Sequence, residues 1–199
     1  MGISVSTLRR LPAYLRILKS YDEEYISSTT IADKLNLNSI QVRKDLACIS
    51  SVEGKAKLGF NTKQLVKDIE AYLDINNTTD VIVVGAGRIG QALMHYNNFE
   101  NKVNIVMGFD SDLRKCDNKK IFPISKLNNL VKRMNIHVAI LSVPTSKAQE
   151  VCDLLVNAGI KGIWNFTSVY LNVPDDVVVK NEDLSASLML LVKQLKEEK

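Results

Sequence analysis

The residues best suited to specific chemistry are the glycines of a short motif near the middle of the chain. Gly-x-Gly-x-x-Gly is spelled by Gly85, Ala86, Gly87, Arg88, Ile89 and Gly90. The motif follows a predicted strand at 81–84 and opens a predicted helix, which is the context of a dinucleotide-binding turn. The first glycine permits the turn, the second lets the backbone approach a pyrophosphate, and the third allows close helix–strand packing. The free amides of the helix start then hold anionic phosphates.

An acid at the end of the next predicted strand agrees with this interpretation. Asp110 lies 25 positions after Gly85, close to the roughly 20-residue offset of the carboxylate that binds an adenosine ribose. A carboxylate there repels a ribose 2′-phosphate, so we expect NAD(H) rather than NADP(H), although Arg114 and Lys115 act in the opposite direction. Two alternatives remain open here, namely a glycine turn without a ligand and a solvated acid at a strand end.

The chain offers little beside this site that could catalyse hydride transfer. A dehydrogenase needs a substrate compartment and a positioned acid or base. We interpret both histidines, His95 and His137, as surface or boundary residues, and no Tyr-x-x-x-Lys pair occurs at a suitable place. The dinucleotide is therefore expected to be a ligand and the protein to be no enzyme, with a small NAD(H)-dependent oxidoreductase as the alternative.

The first 60 residues are predicted to contain three helices, and a further helix is predicted to begin at Thr62. Apolar residues at helical spacing indicate a first helix that ends near Ser20, with Pro12 as its start or as a kink. The run 28–30 offers N-caps for a short second helix. Asn38 can cap a third, with Gln41 in the capping-box position. The apolar residues that define these helices are Leu8, Leu11, Leu15, Leu18, Ile31, Ala32, Leu35, Val42, Leu46 and Ile49.

The polar face of the third helix and the segment after it point to a DNA-binding unit. That face displays Gln41, Arg43 and Lys44, and residues 53–60 have the glycines and alternation of a small basic hairpin. Residues 1–60 carry nine Lys/Arg against six Asp/Glu, which is a mild basic excess. Two helices joined by a short turn and followed by a basic hairpin are typical of a winged helix-turn-helix.

From residue 78 onward the chain alternates apolar strands and amphipathic helices. Strands are predicted at 81–84, 104–109, 138–142 and 163–166, with helices at 89–96, 126–134 and 146–157. Uninterrupted apolar strands suit a parallel sheet covered on both faces. The predicted fold class is α/β, with an N-terminal winged helix (1–77) and a Rossmann domain (78–180). A C-terminal helix (181–199) carries a stripe of Leu184, Leu188, Leu191 and Leu195, for which the chain has no further sheet to cover.

Composition limits the setting in which this protein works. The 46% hydrophobic and 24% charged residues are those of a soluble globular protein, and no stretch predicts a signal peptide or a membrane span. Cys48, Cys116 and Cys152 form no Cys-x-x-Cys, so we expect reduced thiols, a cytoplasmic location, no membrane partner and no metal. A thiol-based regulator acting through Cys48 stays open as a second alternative.

Several separated blocks of sequence resemble the Rex family of redox-sensing transcriptional repressors. These blocks are 38–46 (NSIQVRKDL), 83–93 (VVGAGRIGQAL), 108–110 (GFD), 162–167 (GIWNFT) and 171–174 (LNVP). The resemblance also includes 9–12 (RRLP) and the last helix. It implies a homodimer with exchanged C-terminal helices that binds a palindromic operator in double-stranded DNA. NADH releases such a dimer from DNA, whereas NAD⁺ does so less readily.

The resemblance also implies roles for individual residues. Arg16, Tyr96 and Asp183 match a redox-dependent network that joins the DNA-binding domain, the cofactor domain and the exchanged helix. Tyr96, Val143, Pro144 and the partner's Leu184 join the glycine motif and Asp110 in the cofactor site. A nicotinamide ring against Leu184 disfavours charged NAD⁺ by desolvation. The DNA-binding residues are Arg9, Arg10, Ser39, Gln41, Arg43, Lys44, Lys55 and Lys57.

Three segments depart from the family pattern. Cys48, Ile49 and Ser50 replace a usual Tyr-Phe-Gly run, and the wing residues 55–60 (KAKLGF) replace a Lys-Arg-Gly-x-Gly-Tyr type. The stretch 115–122 is short and lacks the glycines of the family. The first two departures affect the expected operator preference and DNA affinity, and the third affects the adenosine side of the pocket.

Overall fold

The computed structural model describes residues 3–74, 77–96, 99 and 103–197. The chain divides into two compact units, Met1–Asn77 and Thr78–Lys199. Each unit has its own hydrophobic core, and Ile31 and Ile82 are fully buried in the first and second cores respectively. We refer to them as the N-terminal and the C-terminal unit.

The N-terminal unit contains four helices and a two-stranded sheet. Its elements are α1 (Val5–Lys19), β1 (Tyr25–Ile26), α2 (Ser28–Leu35), α3 (Ser39–Ile49), β2 (Phe60–Asn61) and α4 (Thr62–Tyr72). The core is formed by one face of each helix, with Leu11 and Leu18 of α1, Val42 of α3 and Leu65 of α4 at most 1% exposed. The expected helical stripe is therefore largely correct, but Leu8 is 43% exposed and Tyr14 takes an interior position instead.

Side-chain caps explain where these helices begin. The Asn38 side chain accepts hydrogen bonds from the amides of Ile40 (2.8 Å) and Gln41 (3.3 Å), which confirms it as the N-cap of α3. The cap of α2 is Ser27, one residue before the predicted run, since its Oγ accepts from the Thr30 amide at 3.0 Å. Pro12 lies inside α1 and does not start it.

The wing differs from the predicted hairpin. Lys55 and Gly59 form a single antiparallel bridge that closes a tight turn. Phe60–Asn61 then pairs with Tyr25–Ile26, a strand that the sequence analysis missed. Two residues are too short a run to show a periodicity of two, so the pairing could not be read from the sequence.

The C-terminal unit is a parallel sheet with helices on its faces. Its elements are β3 (Thr79–Val84), α5 (Arg88–Met94), β4 (Val103–Asp110), β5 (Ile121–Pro123), α6 (Leu127–Met134), β6 (Val138–Leu141), α7 (Ala148–Ala158), β7 (Gly162–Asn165), β8 (Val178–Asn181) and α8 (Leu184–Glu197). The strand order is β5-β4-β3-β6-β7-β8, and neighbouring strands are all parallel. This is the Rossmann order, and the reversal lies between β3 and β6.

The two faces of this sheet are covered unequally. On one face, Ile82, Phe109 and Leu141 pack with α6 and α7 in the larger core cluster. On the other face, Val81, Val83 and Ile140 are buried, while Trp164 and Phe166 pack against them only partly buried. We call this second side the open face of the sheet.

Helix α8 is almost entirely exposed within one chain. The predicted leucine stripe is 62% (Leu184), 63% (Leu188), 53% (Leu191) and 59% (Leu195) exposed. Over the part of the chain that is described, no helix combines the length and apolar character needed to cross a membrane. An exposed apolar helix and a partly covered sheet face are surfaces that a partner could bury.

Candidate functional sites

The glycine motif forms the wall of a cleft at the switch point of the parallel sheet. Its cavity has a volume of about 760 Å³. The lining comes from the ends of β3, β4 and β6, from the start of α5 and from α7, and includes Val84, Gly85, Gly87, Arg88, Ile89, Asp110, Ser142, Val143 and Pro144. Ligands bind at this position in open α/β sheets because the connections diverge there to opposite sides of the sheet.

The three glycines differ in what a side chain at each position would contact. Gly85 has a φ of +98°, and a Cβ atom there would lie 2.5 Å from the Ser142 carbonyl oxygen. A Cβ on Gly90 would lie 2.0 Å from the Gly85 carbonyl oxygen. A Cβ on Gly87 would meet nothing within 4 Å. Protein packing therefore requires Gly85 and Gly90, whereas Gly87 leaves open space at the cleft, which is the room a bound phosphate needs.

The start of α5 has unmet hydrogen-bonding capacity that suits an anion. Gly87 is its N-cap and gives no side-chain capping bond. The first amides of a helix have no intrahelical acceptor. Those amides therefore face the cleft as donors, together with the positive end of the helix dipole.

Asp110 is connected to the glycine motif by a direct hydrogen bond. The Ala86 amide donates to Asp110 Oδ2 at 2.9 Å, and the Asp112 amide donates to Oδ1 at 2.8 Å. Lys115 Nζ pairs with Oδ2 at 2.9 Å. The carboxylate is 8% exposed and retains an acceptor site on Oδ1, so the geometry allows a ribose hydroxyl contact.

The two cationic side chains near Asp110 form ion pairs with different carboxylates. Arg114 pairs with Asp112 at 2.8 Å, and the hydrogen bond from Arg114 is the main reason that the pKa of Asp112 falls to about 2. Lys115 pairs with Asp110 itself. Of the two cations expected to oppose the Asp110 charge, Lys115 is thus the one that pairs with it, whereas Arg114 pairs with Asp112.

The glycine-poor stretch after Asp110 folds through other residues. Asn118 has a φ of +53°, a left-handed conformation that asparagine tolerates better than most residues. The Asp117 carboxylate accepts from the amides of Lys119, Lys120 and Ile121, which lower its pKa to about 2. This Asx-type turn replaces the glycines that the sequence lacks.

Ser142 is a cleft residue that the sequence analysis did not single out. Its Oγ donates to the Gly85 carbonyl oxygen at 2.9 Å. It therefore fixes the glycine turn from the neighbouring strand end. A small polar residue directly after an apolar strand was the available signal.

The remaining residues assigned to the cofactor or the switch are solvent-exposed within one chain. Tyr96 is 51% exposed, and its ring contacts Phe99 edge to face at 4.9 Å. The Asp183 carboxylate accepts from the Ala186 amide at 2.9 Å, as a helix cap does. Arg16 lies on the exposed side of α1. None of the three lines the cleft among the described residues.

The expected DNA-binding side chains lie mostly on the surface of the N-terminal unit. Arg9, Gln41, Arg43, Lys44, Lys55 and Lys57 are exposed, and Ser39 is partly so. A second cavity of about 640 Å³ lies between α3 and the wing and is lined in part by Arg43, Lys55 and Lys57. Lys55 Nζ donates to the Tyr25 hydroxyl at 2.7 Å, which holds the wing against β1.

Arg10 and Gln41 are not free side chains. Arg10 Nε donates to Asp45 Oδ2 at 2.7 Å, and Gln41 Nε2 donates to Asp45 Oδ1 at 2.9 Å. The predicted capping box is wrong in its reciprocal half, because the side-chain amide of Gln41 donates forward to Asp45 instead of bonding back to the backbone of Asn38. Asp45 was missed as a functional candidate, although a charged residue next to buried Leu46 was a visible signal.

The thiols give no support to a cysteine-based sensor. Burial raises the pKa of both Cys116 and Cys152. Cys48 is exposed on α3. Within the described residues, no group of three or more His, Cys, Asp or Glu side chains is arranged to hold a metal ion.

Known proteins resemble this chain over nearly its whole length. A family model described as a CoA binding domain matches residues 76–169, and one described as a putative DNA-binding protein N-terminus matches residues 2–47. The redox-sensing transcriptional repressor Rex of Treponema denticola is 43% identical, with 93% of this chain and 91% of that protein covered. That of Carboxydothermus hydrogenoformans is 40% identical, with 95% and 94% covered.

Solved structures agree with these relatives. A crystal structure of RSP in complex with β-NAD⁺ and operator DNA is 33% identical, covers 100% of this chain and 94% of that chain, and has a TM-score of 0.90. A crystal structure of RSP in complex with β-NADH covers 100% of this chain and 96% of that chain at a TM-score of 0.88. The winged-helix and Rossmann assignment is thereby confirmed.

Proposed function

This chain belongs to the Rex family of redox-sensing transcriptional repressors, and we propose that it binds operator DNA and is released when NADH occupies its cleft. The observation that carries the proposal is Gly87, whose absent side chain serves no packing need yet leaves room at the cleft. The relatives named as repressors, and RSP bound to operator DNA, support the DNA-binding half.

The cleft is proposed to bind the dinucleotide through its backbone and through Asp110. The amides near Gly87, Arg88 and Ile89 receive the pyrophosphate, and the Asp110 carboxylate receives the adenosine ribose. Val143 and Pro144, which line the cleft, give it apolar walls. Gly85, Ala86 and Gly90 shape the turn, and Tyr96 and the partner subunit's Leu184 complete the nicotinamide end.

NADH is proposed to act as a signal that the protein does not consume. The two histidines lie outside the cleft lining, and the relatives are repressors. The dihydronicotinamide ring is uncharged whereas the oxidised ring is cationic, so an apolar environment favours the reduced form. Each ~1.4 kcal/mol of this preference corresponds to about tenfold in affinity.

The DNA contacts are proposed to lie on α3, the wing and the start of α1. Gln41, Arg43 and Lys44 enter the major groove, while Arg9, Ser39, Lys55 and Lys57 meet phosphates or the minor groove. Arg10 remains in this set, but its pairing with Asp45 leaves only part of its guanidinium for a phosphate. The protein acts in the cytoplasm, where DNA and NADH are both present.

A homodimer with exchanged α8 helices is the proposed assembly. The exposed leucine stripe of α8 and the open face of the sheet support it, because each would bury apolar area that one chain leaves in water. The exposed Arg16, Tyr96 and Asp183 form the proposed network that relates the ligand to the DNA-binding unit. A palindromic operator follows from the two-fold symmetry of such a dimer.

The decisive experiment is operator release measured by fluorescence anisotropy. A labelled duplex, selected by the full-length protein from a random pool, is titrated with NADH and separately with NAD⁺ at fixed salt, because phosphate contacts make affinity salt-dependent. We expect NADH to release the duplex at concentrations at which NAD⁺ leaves it bound. Equal response to both nucleotides would reject redox sensing, and absence of any selected duplex would reject the repressor function.

A further inference from the structure

Asp45 is a buried carboxylate that collects hydrogen bonds from two helices. It is 2% exposed and sits in the middle of α3. It accepts hydrogen bonds from four donors on α1, which are Thr7 Oγ1 (3.1 Å), Arg10 Nε (2.7 Å), Arg10 Nη2 (2.9 Å) and the Tyr14 hydroxyl (2.7 Å). From α3 itself it accepts Gln41 Nε2 at 2.9 Å. One acid thus connects α1 to the exposed side chain of Gln41.

The protonation state of Asp45 decides which end of the Gln41 amide it holds. Burial raises the pKa of this carboxyl, but the hydrogen bonds from Arg10, Tyr14, Gln41 and Thr7 outweigh burial and lower it. An ionised carboxylate only accepts hydrogen bonds. The nitrogen end of the Gln41 amide is therefore the end that faces Asp45, and the oxygen end cannot take its place.

The anchored amide has a defined remaining capacity. An amide nitrogen carries two N–H donors, and one is used by Asp45. Gln41 keeps one N–H donor and its carbonyl oxygen, and its side chain is exposed on the polar side of α3. Adenine presents one acceptor and one donor in the major groove, N7 and the N6 amino group, whereas guanine presents two acceptors, N7 and O6. The remaining groups complement adenine and leave guanine with one acceptor unpaired.

We propose that Asp45 is a positioning residue that fixes the Gln41 amide so that it reads adenine in preference to guanine at one base pair of each operator half-site. The inference rests on the proposed function, since it needs α3 in the major groove. The preference for adenine has two sources. Asp45 occupies one of the two N–H donors of the Gln41 side chain, and it prevents the side-chain amide from turning its oxygen toward Asp45. Asp45 itself touches no DNA in this proposal.

The N-terminal unit contains a matched pair that serves as the control. Gln64 Nε2 donates to Asp68 Oδ1 at 2.9 Å, with the same spacing of four residues, but on α4. Gln64 also donates to Ser51 Oγ at 3.1 Å. This pair has the same chemistry on a helix that is not proposed to enter the groove.

The test compares base preferences of the full-length protein and its variants. Duplexes are selected from a randomised pool at fixed salt, and the best duplex is compared by anisotropy with one that has a single A·T pair replaced by G·C in each half-site. A good bidentate contact discriminates by at least about fivefold, which is the expected wild-type preference for adenine. Gln41→Ala should reduce it to less than about twofold at that position alone, while Gln64→Ala keeps the wild-type pattern.

The variant Asp45→Ala separates positioning from simple structural support. We expect it to relax the adenine preference at the same position and to have no further effect on that preference in a Gln41→Ala background. Equal weakening at every operator position would overturn the proposal, as would an unchanged preference in Gln41→Ala. A wild-type protein that selects no duplex would instead reject the repressor function, so the two failures are distinguishable.

A second measurement tests the positioning role of Asp45 even if the Asp45→Ala variant does not fold. In the ¹⁵N-labelled wild-type protein, the side-chain amide of Gln41 should be nearly as ordered as that of Gln64, which is held by the Asp68 carboxylate and also by Ser51 Oγ. The Gln41 resonance is assigned by its loss in Gln41→Ala. A Gln41 amide clearly more mobile than that of Gln64 would overturn the positioning role.

Discussion

Two glycines of the cleft are constrained for different reasons, one by folding and the other by the ligand, and substitution can distinguish the two. Gly85 has a backbone conformation that side chains rarely adopt and a carbonyl oxygen in the path of any Cβ. Gly87 has an ordinary conformation and free space around it. One position is therefore set by folding and the other by whatever occupies the cleft.

Gly87→Ala should leave folding intact and weaken NADH binding. We expect an unchanged melting temperature, because the new methyl group meets nothing within 4 Å. NADH affinity should fall by about tenfold or more, since ~1.4 kcal/mol of lost contact has that effect. Gly85→Ala is the control and should destabilise the C-terminal unit by about 1–3 kcal/mol. Normal NADH binding by Gly87→Ala would disprove the proposed pyrophosphate position.

Asp110 and Lys115 form the residue pair that should set the choice between NADH and NADPH. Asp110→Asn removes the carboxylate charge and leaves the Lys115 ammonium without its partner at 2.9 Å. We expect NADPH affinity to rise relative to NADH by about tenfold, because an unpaired lysine attracts the 2′-phosphate. Asp176→Asn is the matched control, since Asp176 pairs with Lys161 outside the cleft lining. An unchanged ratio in Asp110→Asn, measured by titration of both nucleotides, would remove Asp110 from the specificity argument.

At the scale of secondary-structure elements, α1 and α3 are joined by one buried charge. The Tyr14 hydroxyl and Arg10 guanidinium of α1 both donate to Asp45 of α3. Burial, followed by the hydrogen bond to Asp45, raises the pKa of Tyr14 to about 12. Asp45 is therefore the charged group through which side chains of α1 are hydrogen-bonded to α3.

Asp45→Asn should therefore destabilise the N-terminal unit and change its response to acid. Removing one partner of a buried pair costs roughly 3–5 kcal/mol, and we expect about 2–4 kcal/mol here because the Arg10 side chain keeps 23% exposure. The folded-state pKa of Asp45 is below its ordinary value. Its contribution is therefore complete above about pH 4, the unfolded value, and is lost as pH falls through the folded pKa.

Urea unfolding at a series of pH values tests this expectation. The free energy of unfolding of the wild type should decrease below about pH 4, and the decrease should be smaller in Asp45→Asn. Asp68→Asn, on α4, is the control for a partly exposed acid in the same unit. Parallel pH profiles for wild type and Asp45→Asn would show that Asp45 is not the titrating group.

Elements that are determined by residues close together in the sequence could be predicted, whereas those that depend on contacts between distant segments could not. The strand at 81–84, the glycine turn and Asp110 followed from local pattern, because each is fixed by neighbours in sequence. The pairing of Tyr25–Ile26 with Phe60–Asn61 joins segments far apart in the chain and depends on tertiary packing. The Asp45 cluster also joins α1 to α3, so the donors to this carboxylate could not be predicted from the sequence, and Asp45 itself was missed.

At the scale of the whole molecule, the C-terminal unit exposes large apolar side chains on α8 and leaves aromatic side chains on the open face only partly buried. Leu188, Leu191 and Leu195 are each more than half exposed on α8. On the open face, Trp164 packs edge to face with Phe166 at 4.6 Å and is only partly buried. Large exposed apolar patches mark interaction sites, and two copies of this chain would supply both a helix and a face to cover.

The single tryptophan lies on that open face and provides a direct report of ligand binding. Trp164 donates from Nε1 to Glu182 Oε1 at 3.1 Å, which fixes the indole. Because NADH absorbs light at wavelengths where tryptophan emits, we expect NADH to quench the Trp164 emission by energy transfer. NAD⁺ lacks that absorption and should displace NADH with recovery of the emission. An emission unchanged by NADH, in a protein whose Trp164→Phe variant is dark, would show that the nucleotide does not bind the C-terminal unit.

The dimer itself is tested by a charge placed in the leucine stripe. Leu191→Glu should convert a dimer into a monomer in light scattering coupled to size exclusion, because a carboxylate buried against an apolar face without a partner costs several kcal/mol. Operator affinity should fall with it, since a monomer contacts one half-site. Lys132→Glu, an exposed charge change on α6 of the same unit, should leave both mass and affinity unchanged. A Leu191→Glu protein that stays dimeric would place the interface elsewhere, and a monomeric wild type would leave the exposed stripe of α8 to a different partner.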